Sequence, residues 1–233
     1  MLKNEPLEDT PSSRKSDRTR QHLLEISLKA FKKKGYDACT MRDLAKEAGV
    51  TAPAFYYYFR SKEEIVAAFY AESLQEHLAG ASEGIIKGAP LAENLKRMIR
   101  QRFEELKDHR ETLGVLKRFS FDRENILSPF HEDHRFIRKA SVNLFEQIID
   151  RSRGKIPLGL KRELAQILWL FHLLILFYWI GDKSPGFKKT LEFLDRSVSY
   201  LTAGLILLKV PGARRSVFTL IEILKNAELL EAL

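Results

Sequence analysis

Within 23 residues the chain sets hydroxyls at Thr40, Thr51, Tyr56, Tyr57 and Tyr58 among cations at Arg42, Lys46, Arg60 and Lys62. The chemistry open to such a set is binding rather than bond-making. Hydroxyls and backbone N–H groups at a helix N-terminus hold phosphate oxygens, and nearby Lys and Arg side chains add charge. Five aromatic residues run without a break from Phe55 to Phe59. They cannot all turn inward on one helix: Phe55 and Phe59, four apart, share a face, so Tyr56 and Tyr57 look elsewhere. Aromatics at helical spacing commonly serve a core. Polar-tipped rings on an exposed face beside cations favour contact with a partner.

Bond-making chemistry finds little support. There is no Gly-x-Ser-x-Gly, no phosphate-binding Gly-Lys-Ser/Thr loop and no His-Glu-x-x-His. His131-Glu132-Asp133-His134 sets two histidines three apart, a spacing open to a metal, but the acids also suit the dipole of a helix starting at Pro129. Cys39 has no histidine near it in the sequence. The expectation is a protein that is not an enzyme, with no cofactor and no metal.

The elements that must position these residues read as helices throughout. Leu23, Leu24, Ser27, Leu28 and Phe31 mark an amphipathic helix that Gly35 ends after Lys32-Lys33-Lys34. Thr40-x-x-Asp43 offers an N-cap, and Met41, Leu44, Ala45 and Ala48 give the next helix its apolar face. Gly49 stops it. Thr51 caps a short third helix in which Pro53 falls within the first turn, and Ser61-x-x-Glu64 is a capping box for a fourth. Small Ala45 and Ala48 allow close approach, and Gly49 supplies the tight turn that two steeply crossing helices require. This is a helix-turn-helix, whose second helix enters the major groove of duplex DNA.

Thr40-Met-Arg-Asp-Leu-Ala-Lys-Glu-Ala-Gly-Val-Thr51, followed by Phe55-Tyr56-x-Tyr58-Phe59-x-x-Lys62-x-x-Ile65, resembles the TetR family of bacterial transcriptional regulators. The lead-in of Leu23-Leu24, Phe31 and Gly35 also matches, and the resemblance covers residues 16–76. It implies an obligate homodimer with a three-helix DNA-binding head and a helical ligand-binding and dimerisation domain, released from its operator by ligand. Carried over residue by residue, it gives Thr40 a phosphate. It sets Thr51, Ala52, Pro53 and Tyr57 against base edges, and Tyr56, Tyr58 and Lys62 on the backbone; Arg42 adds charge to the same face. Two departures stand out. Pro53 occupies a position more often filled by a small non-proline residue, and Tyr58 one that is often histidine. Both blur which operator is read.

The 233 residues, 45% hydrophobic and 30% charged, suit a folded chain with a sizeable core and exclude wholesale disorder. A single cysteine excludes an intrachain disulfide and a Cys-based zinc site and fits a reducing compartment. Twelve basic and five acidic residues between Arg14 and Lys62 account for most of the net charge of +8. A basic stretch is commonly a solvated face, and it also suits a polyanionic partner.

The expected organisation is all-α. A disordered tail covers 1–13, a helix-turn-helix DNA-binding domain 14–78, and a helical ligand-binding and dimerisation domain 79–233. Ser128-Pro129 is read as starting a helix to about Arg151, and long helices follow over 160–181 and 187–209. Phe187, Leu191, Leu194, Val198, Leu201, Leu205 and Leu208 recur at spacings of three and four, a heptad-type seam that suits a dimer interface, although it could equally face its own core.

Phe103, Phe119, Phe121, Trp169, His172, Phe177, Tyr178 and Trp179 supply aromatic surface with a few polar tips and are candidates for contact with a small apolar or aromatic ligand. His172, alone in an apolar run, also reads as a hydrogen-bonded core histidine. Leu164 to Gly181 carries no formal charge over 18 residues, the lower edge for a membrane span. Burial by its own domain and a second subunit explains it better, so no membrane and a cytoplasmic location are expected. The rival readings are a helical interaction module and a membrane-associated sensor, neither with specific DNA binding.

Overall fold

The computed structural model describes residues 11–119, 121–154, 160–205 and 211–227. It is all-α, with α1 (Pro11–Lys34), α2 (Met41–Glu47), α3 (Ala52–Tyr58), α4 (Lys62–Ala81), α5 (Leu91–Leu106), α6 (Leu116–Phe119), α7 (Arg135–Arg151), α8 (Lys161–Gly181), α9 (Lys188–Gly204) and α10 (Pro211–Asn226). Most of the tail expected over 1–13 lies outside the described residues, which open within α1 at Pro11.

Helices α2 and α3 have seven residues each, too short to persist alone. Tertiary burial holds them. Leu44, Phe55, Phe59 and Ile65 are fully enclosed with Leu23, Leu24 and Phe31 of α1. Each such side chain contributes about 1.5–3 kcal/mol on leaving water. The turn after α2 is set locally: Gly49 has φ +68°, its N–H bonds Lys46 O at 3.1 Å, and Val50 N–H bonds Ala45 O at 3.0 Å. This double bond pattern closes a helix around a left-handed residue, the conformation that glycine adopts without strain.

Helix α4 runs through residue 78, expected as a domain boundary. Its first turns place Ile65 and Val66 in the head core, and Leu74 and His77 are buried in the body. Arg20 ties α1 to Glu72 midway along α4 (3.2 Å), and head and body are further joined by Arg118 to Asp37 (2.9 and 2.7 Å) and Lys32 to Asp108 (3.4 Å).

In the body, α8 packs against α5, α7 and α9. By length and composition α8 could cross a bilayer, yet Leu168, Trp169, Ile175, Leu176 and Trp179 are buried within the chain itself. Its C-terminal carbonyls are gathered by Arg110, which donates to Trp179 O (2.9 Å), Ile180 O (3.2 Å) and Asp182 O (2.7 Å). Burial raises the Asp182 carboxyl, but hydrogen bonds from Thr190 and Ser184 outweigh it and hold the group well below the usual carboxylate range.

Ser128-Pro129 does not start α7. Ser128 Oγ accepts Phe130 N–H at 3.2 Å and Ser128 O accepts His131 N–H at 3.1 Å, a local turn that competes with the helix. Regular α-helix begins only at Arg135.

Candidate functional site

The face expected to meet DNA is built from two capped helix starts. At α2, Thr40 Oγ1 accepts Asp43 N–H (3.2 Å) while the Asp43 carboxylate accepts Thr40 N–H (3.0 Å), a reciprocal cap. The Thr40 hydroxyl also donates to Asp43 at 2.6 Å, so its hydrogen is committed inside the cap. Those Thr40 bonds hold the Asp43 carboxyl below its ordinary range. At α3, Thr51 Oγ1 accepts Ala54 N–H at 3.4 Å. The start of α4 departs from the expected box: Ser61 caps Glu64 N–H, but the Glu64 carboxylate takes the N–H of Arg60.

The aromatic run divides as helical spacing predicts. Phe55 and Phe59 are 0% and 1% exposed, whereas Tyr57 is 79% and Tyr56 44% exposed. Tyr58 is half-buried, its ring edge-on to Tyr57 at 5.0 Å. Thr40, Arg42, Lys46, Thr51, Pro53 and Arg60 are exposed, and Ala52 is half-buried. The short α3 therefore presents hydroxyls, a proline and two tyrosine rings to solvent on a rigidly anchored base.

Lys62 is placed differently from its expected role. Its Nζ donates to Tyr36 O at 2.8 Å and lies 4.4 Å from the centre of the Tyr36 ring, while Tyr36 donates its hydroxyl to Glu63 at 2.7 Å. Burial and the Glu63 partner push the Tyr36 hydroxyl well above its normal range. Lys62 thus braces the turn after α1 against the start of α4. The sequence reading missed Tyr36 because its partners lie 26 and 27 residues away.

A second candidate site lies in the body. Ala67, Tyr70 and Leu74 of α4, Leu116 of α6, Ile126 and Leu127, Ile137 and Ser141 of α7, and Trp169, Leu173 and Phe177 of α8 line an apolar pocket with a cavity volume of about 40 Å³. Of the eight expected ligand residues, Trp169 and Phe177 line it. Phe103 is buried and stacks on Trp179 at 4.9 Å, Phe119 is half-buried against the core, and Phe121 and Tyr178 are exposed at the surface. His172 is buried, yet among the described residues neither ring nitrogen has a hydrogen-bond partner, which corrects the expectation of a bonded core histidine. The pocket wall was not legible because it comes from segments far apart in the chain. The aromatic run of α8 pointed to Trp169 and Phe177, and the α4 stripe 67–70–74 was a further hint.

The expected interface stripe is split. Leu194 and Val198 are fully buried in their own chain's core, where α9 meets α5 and α8, so neither offers surface to a second copy. Their spacing reports own-domain packing. Leu191, Leu201 and Leu205 are half-buried, and Leu208 lies outside the described residues. On α8 and α9 the large apolar side chains that stay open are Leu174, Tyr178 and Tyr200, at 55%, 43% and 79% exposure; Phe136 of α7 and Phe218, Leu220 and Ile223 of α10 are exposed as well.

Neither catalytic alternative gains a geometry. Cys39 is buried, its thiol directed to Ala30 O at 3.7 Å and pushed up by burial. His134 Nε2 lies 2.6 Å from Ile126 O, and His131 Nδ1 accepts Asp133 N–H. Among the described residues no group of three potential metal ligands assembles.

Comparison with known proteins matches residues 23–69 to the family model described as bacterial regulatory proteins, tetR family. Residues 94–211 match a tetracyclin repressor-like C-terminal domain. The uncharacterised HTH-type transcriptional regulator YhgD of Bacillus subtilis is 32% identical over 177 residues, 74% of this chain and 90% of that one. YerO from the same organism, also described as an HTH-type transcriptional regulator, is 28% identical over 153 residues, 64% of this chain. There the match spans only half the relative's length. Among solved structures, the transcriptional regulator FadR of Bacillus subtilis in complex with stearoyl-CoA superposes with a TM-score of 0.55. It is 20% identical and covers 78% of this chain and 96% of its own, a likeness of fold.

Proposed function

Because the chain belongs to the TetR family of bacterial regulatory proteins, we propose that it is a DNA-binding transcriptional repressor acting in the cytoplasm. It holds an inverted-repeat operator as a homodimer and releases it when a small, largely apolar ligand fills the pocket between α4, α6, α7 and α8. Residues 14–78 form the DNA-binding unit and 79–233 the ligand-binding and dimerisation unit. The observation that carries the reading is α3: Phe55 is locked inside while Tyr56, Tyr57, Thr51 and Pro53 face solvent at a capped helix start.

In this reading Thr51, Ala52, Pro53 and Tyr57 meet base edges, and Tyr56, Tyr58 and Arg42 hold the backbone. Thr40 reaches a phosphate by turning its hydroxyl hydrogen away from Asp43. Lys62 contributes its charge from the Tyr36 brace. The two copies meet through Leu174 and Tyr178 of α8 and through Leu191, Tyr200 and Leu201 of α9. Two-fold symmetry then sets the recognition helices about 34–36 Å apart, or a multiple of that.

Release follows from connectivity. Leu116 lines the pocket, and two residues on in the same short helix Arg118 grips Asp37 of the head. Tyr70 and Leu74 line the pocket on the helix whose first turns sit in the head core. A ligand larger than the present cavity displaces both walls and favours a wrongly spaced pair of heads. A coupling of about 1–3 kcal/mol changes operator affinity roughly 5–150-fold, with the same factor returned on ligand affinity.

The test is selection of duplexes from a random library, followed by fluorescence anisotropy and mass measurement of the complex. An inverted repeat bound by an even number of chains is expected. Equal affinity for all duplexes, or tight specific binding by a single chain, overturns the reading.

A further inference from the structure

Behind the pocket wall lies a polar cluster that the apolar reading of the site does not use. In α8, Trp169 and Leu173 line the pocket; His172, in the same turn and to one side of them, is buried, with neither ring nitrogen hydrogen-bonded among the described residues. One turn beyond pocket-lining Leu74, His77 of α4 is buried too; its Nδ1 meets Glu105 at 2.8 Å and its Nε2 is likewise without a partner there. Arg102 of α5, fully enclosed, donates to Ser73 O (2.8 Å), Ser73 Oγ (2.9 Å) and Glu105 (3.3 Å). Helix α7 packs the Phe145 ring 5.8 Å from that of His172.

The charges decide what such a place accepts. Arg102 is answered by Glu105, so the pair is close to neutral. Burial, with smaller contributions from His77 when it carries a proton and from Arg102, pushes His172 down to about 3; burial lowers His77 as well, so the His172 imidazole is neutral and offers one donor and one acceptor. A buried polar atom without a partner is unfavourable, and a ligand group that supplies the partner recovers that loss. A cation brought here is desolvated beside Arg102. A carboxylate brought to His172 loses its hydration and finds a neutral imidazole and an Arg102 already held by Ser73 and Glu105, while Arg138 of the pocket wall is engaged by Pro129 O and His131 O at 3.1 and 3.3 Å. An uncharged group that both donates and accepts meets neither penalty.

We propose that the pocket selects an uncharged, largely apolar ligand bearing one hydroxyl-type group, and that His172 receives that group once the Leu173 and Leu74 side chains turn aside. This rests on the reading of the pocket as a ligand site, and names the ligand's chemical class.

The experiment uses the full chain and four matched probes: toluene, p-cresol, benzylammonium and benzoate at pH 8, titrated by calorimetry. We expect p-cresol to bind about tenfold more tightly than toluene, the worth of one recovered buried hydrogen bond, and the two ions to bind more weakly still. In His172→Leu the preference for p-cresol over toluene disappears while toluene binding persists and the melting temperature does not fall. In His172→Gln, which keeps a donor and an acceptor, a preference survives. Equal affinity of the unaltered protein for toluene and p-cresol, tighter binding of either ion, or an undiminished p-cresol preference in His172→Leu overturns the inference and leaves the pocket an apolar site. No binding by any of the four probes overturns the pocket reading with it.

Discussion

Phe55 and Tyr57 stand two residues apart on one short helix, and truncating each to alanine separates scaffold from site. Phe55 is 0% exposed in the head core and its ring lies 6.2 Å from that of Phe59, whereas Tyr57 is 79% exposed with its ring perpendicular to that of Tyr58. Phe55→Ala removes a fully buried ring and leaves a cavity, a loss of about 3–5 kcal/mol. In a chain of this size each kcal/mol lowers the melting temperature by about 2–4 °C, so a fall of roughly 6–20 °C follows. Tyr57→Ala removes mostly solvated surface, and its stability effect stays within about 0.5 kcal/mol. Its binding effect runs the other way. A base-edge contact is worth about 1–3 kcal/mol of discrimination, so the ratio of selected-operator to random-duplex affinity falls roughly 5–150-fold. Urea denaturation gives the first quantity, and anisotropy on both duplexes gives the second. Tyr57→Ala weakening operator and random DNA by one common factor removes Tyr57 from the reading residues. Phe55→Ala leaving the unfolding midpoint unchanged would break the packing argument for the whole head.

Two further expectations follow from burial. Leu194→Asp places a charge in the chain's own core and is expected to unfold the body, while Tyr200→Asp with Leu174→Asp is expected to yield a folded monomer with weakened operator binding; circular dichroism with sedimentation separates them, and a folded monomeric Leu194→Asp contradicts the assignment. His172 has its proton affinity lowered from 6.5 to about 3 on folding, so the unfolded chain binds the proton more readily and stability falls as pH drops below about 6.5, a loss that continues toward 3. Between pH 7 and pH 5 the unaltered protein should therefore lose about 2 kcal/mol more than His172→Leu in parallel urea titrations, and identical pH slopes would count against a neutral buried imidazole.

What the sequence by itself determined is whatever a few neighbouring residues decide among themselves. Thr40 with Asp43, and Thr51 ahead of Ala54, are caps closed within four residues. The turn at Gly49 ends α2 through the bonds of Gly49 N–H to Lys46 and of Val50 N–H to Ala45, and the outward turn of Tyr56 and Tyr57 follows from helical periodicity once Phe55 and Phe59 face in. The head was legible for that reason. Local rivalry also explains the failure at Ser128, where two equally local arrangements competed and the turn won. Tertiary structure alone decided the rest. The spacing of Leu194 and Val198 shows that they share a face of α9, but not that α5 and α8 of the same chain lie opposite it. Lys62 is a cation in any reading; only the fold brings the Tyr36 carbonyl to it. The pocket wall gathers residues from 67 to 177, and His172 ends behind it with neither ring nitrogen hydrogen-bonded among the described residues, although its neighbours in sequence are apolar. Periodicity fixes the direction of a side chain about its own helix axis, while the surface that meets it is set by how all the helices pack together.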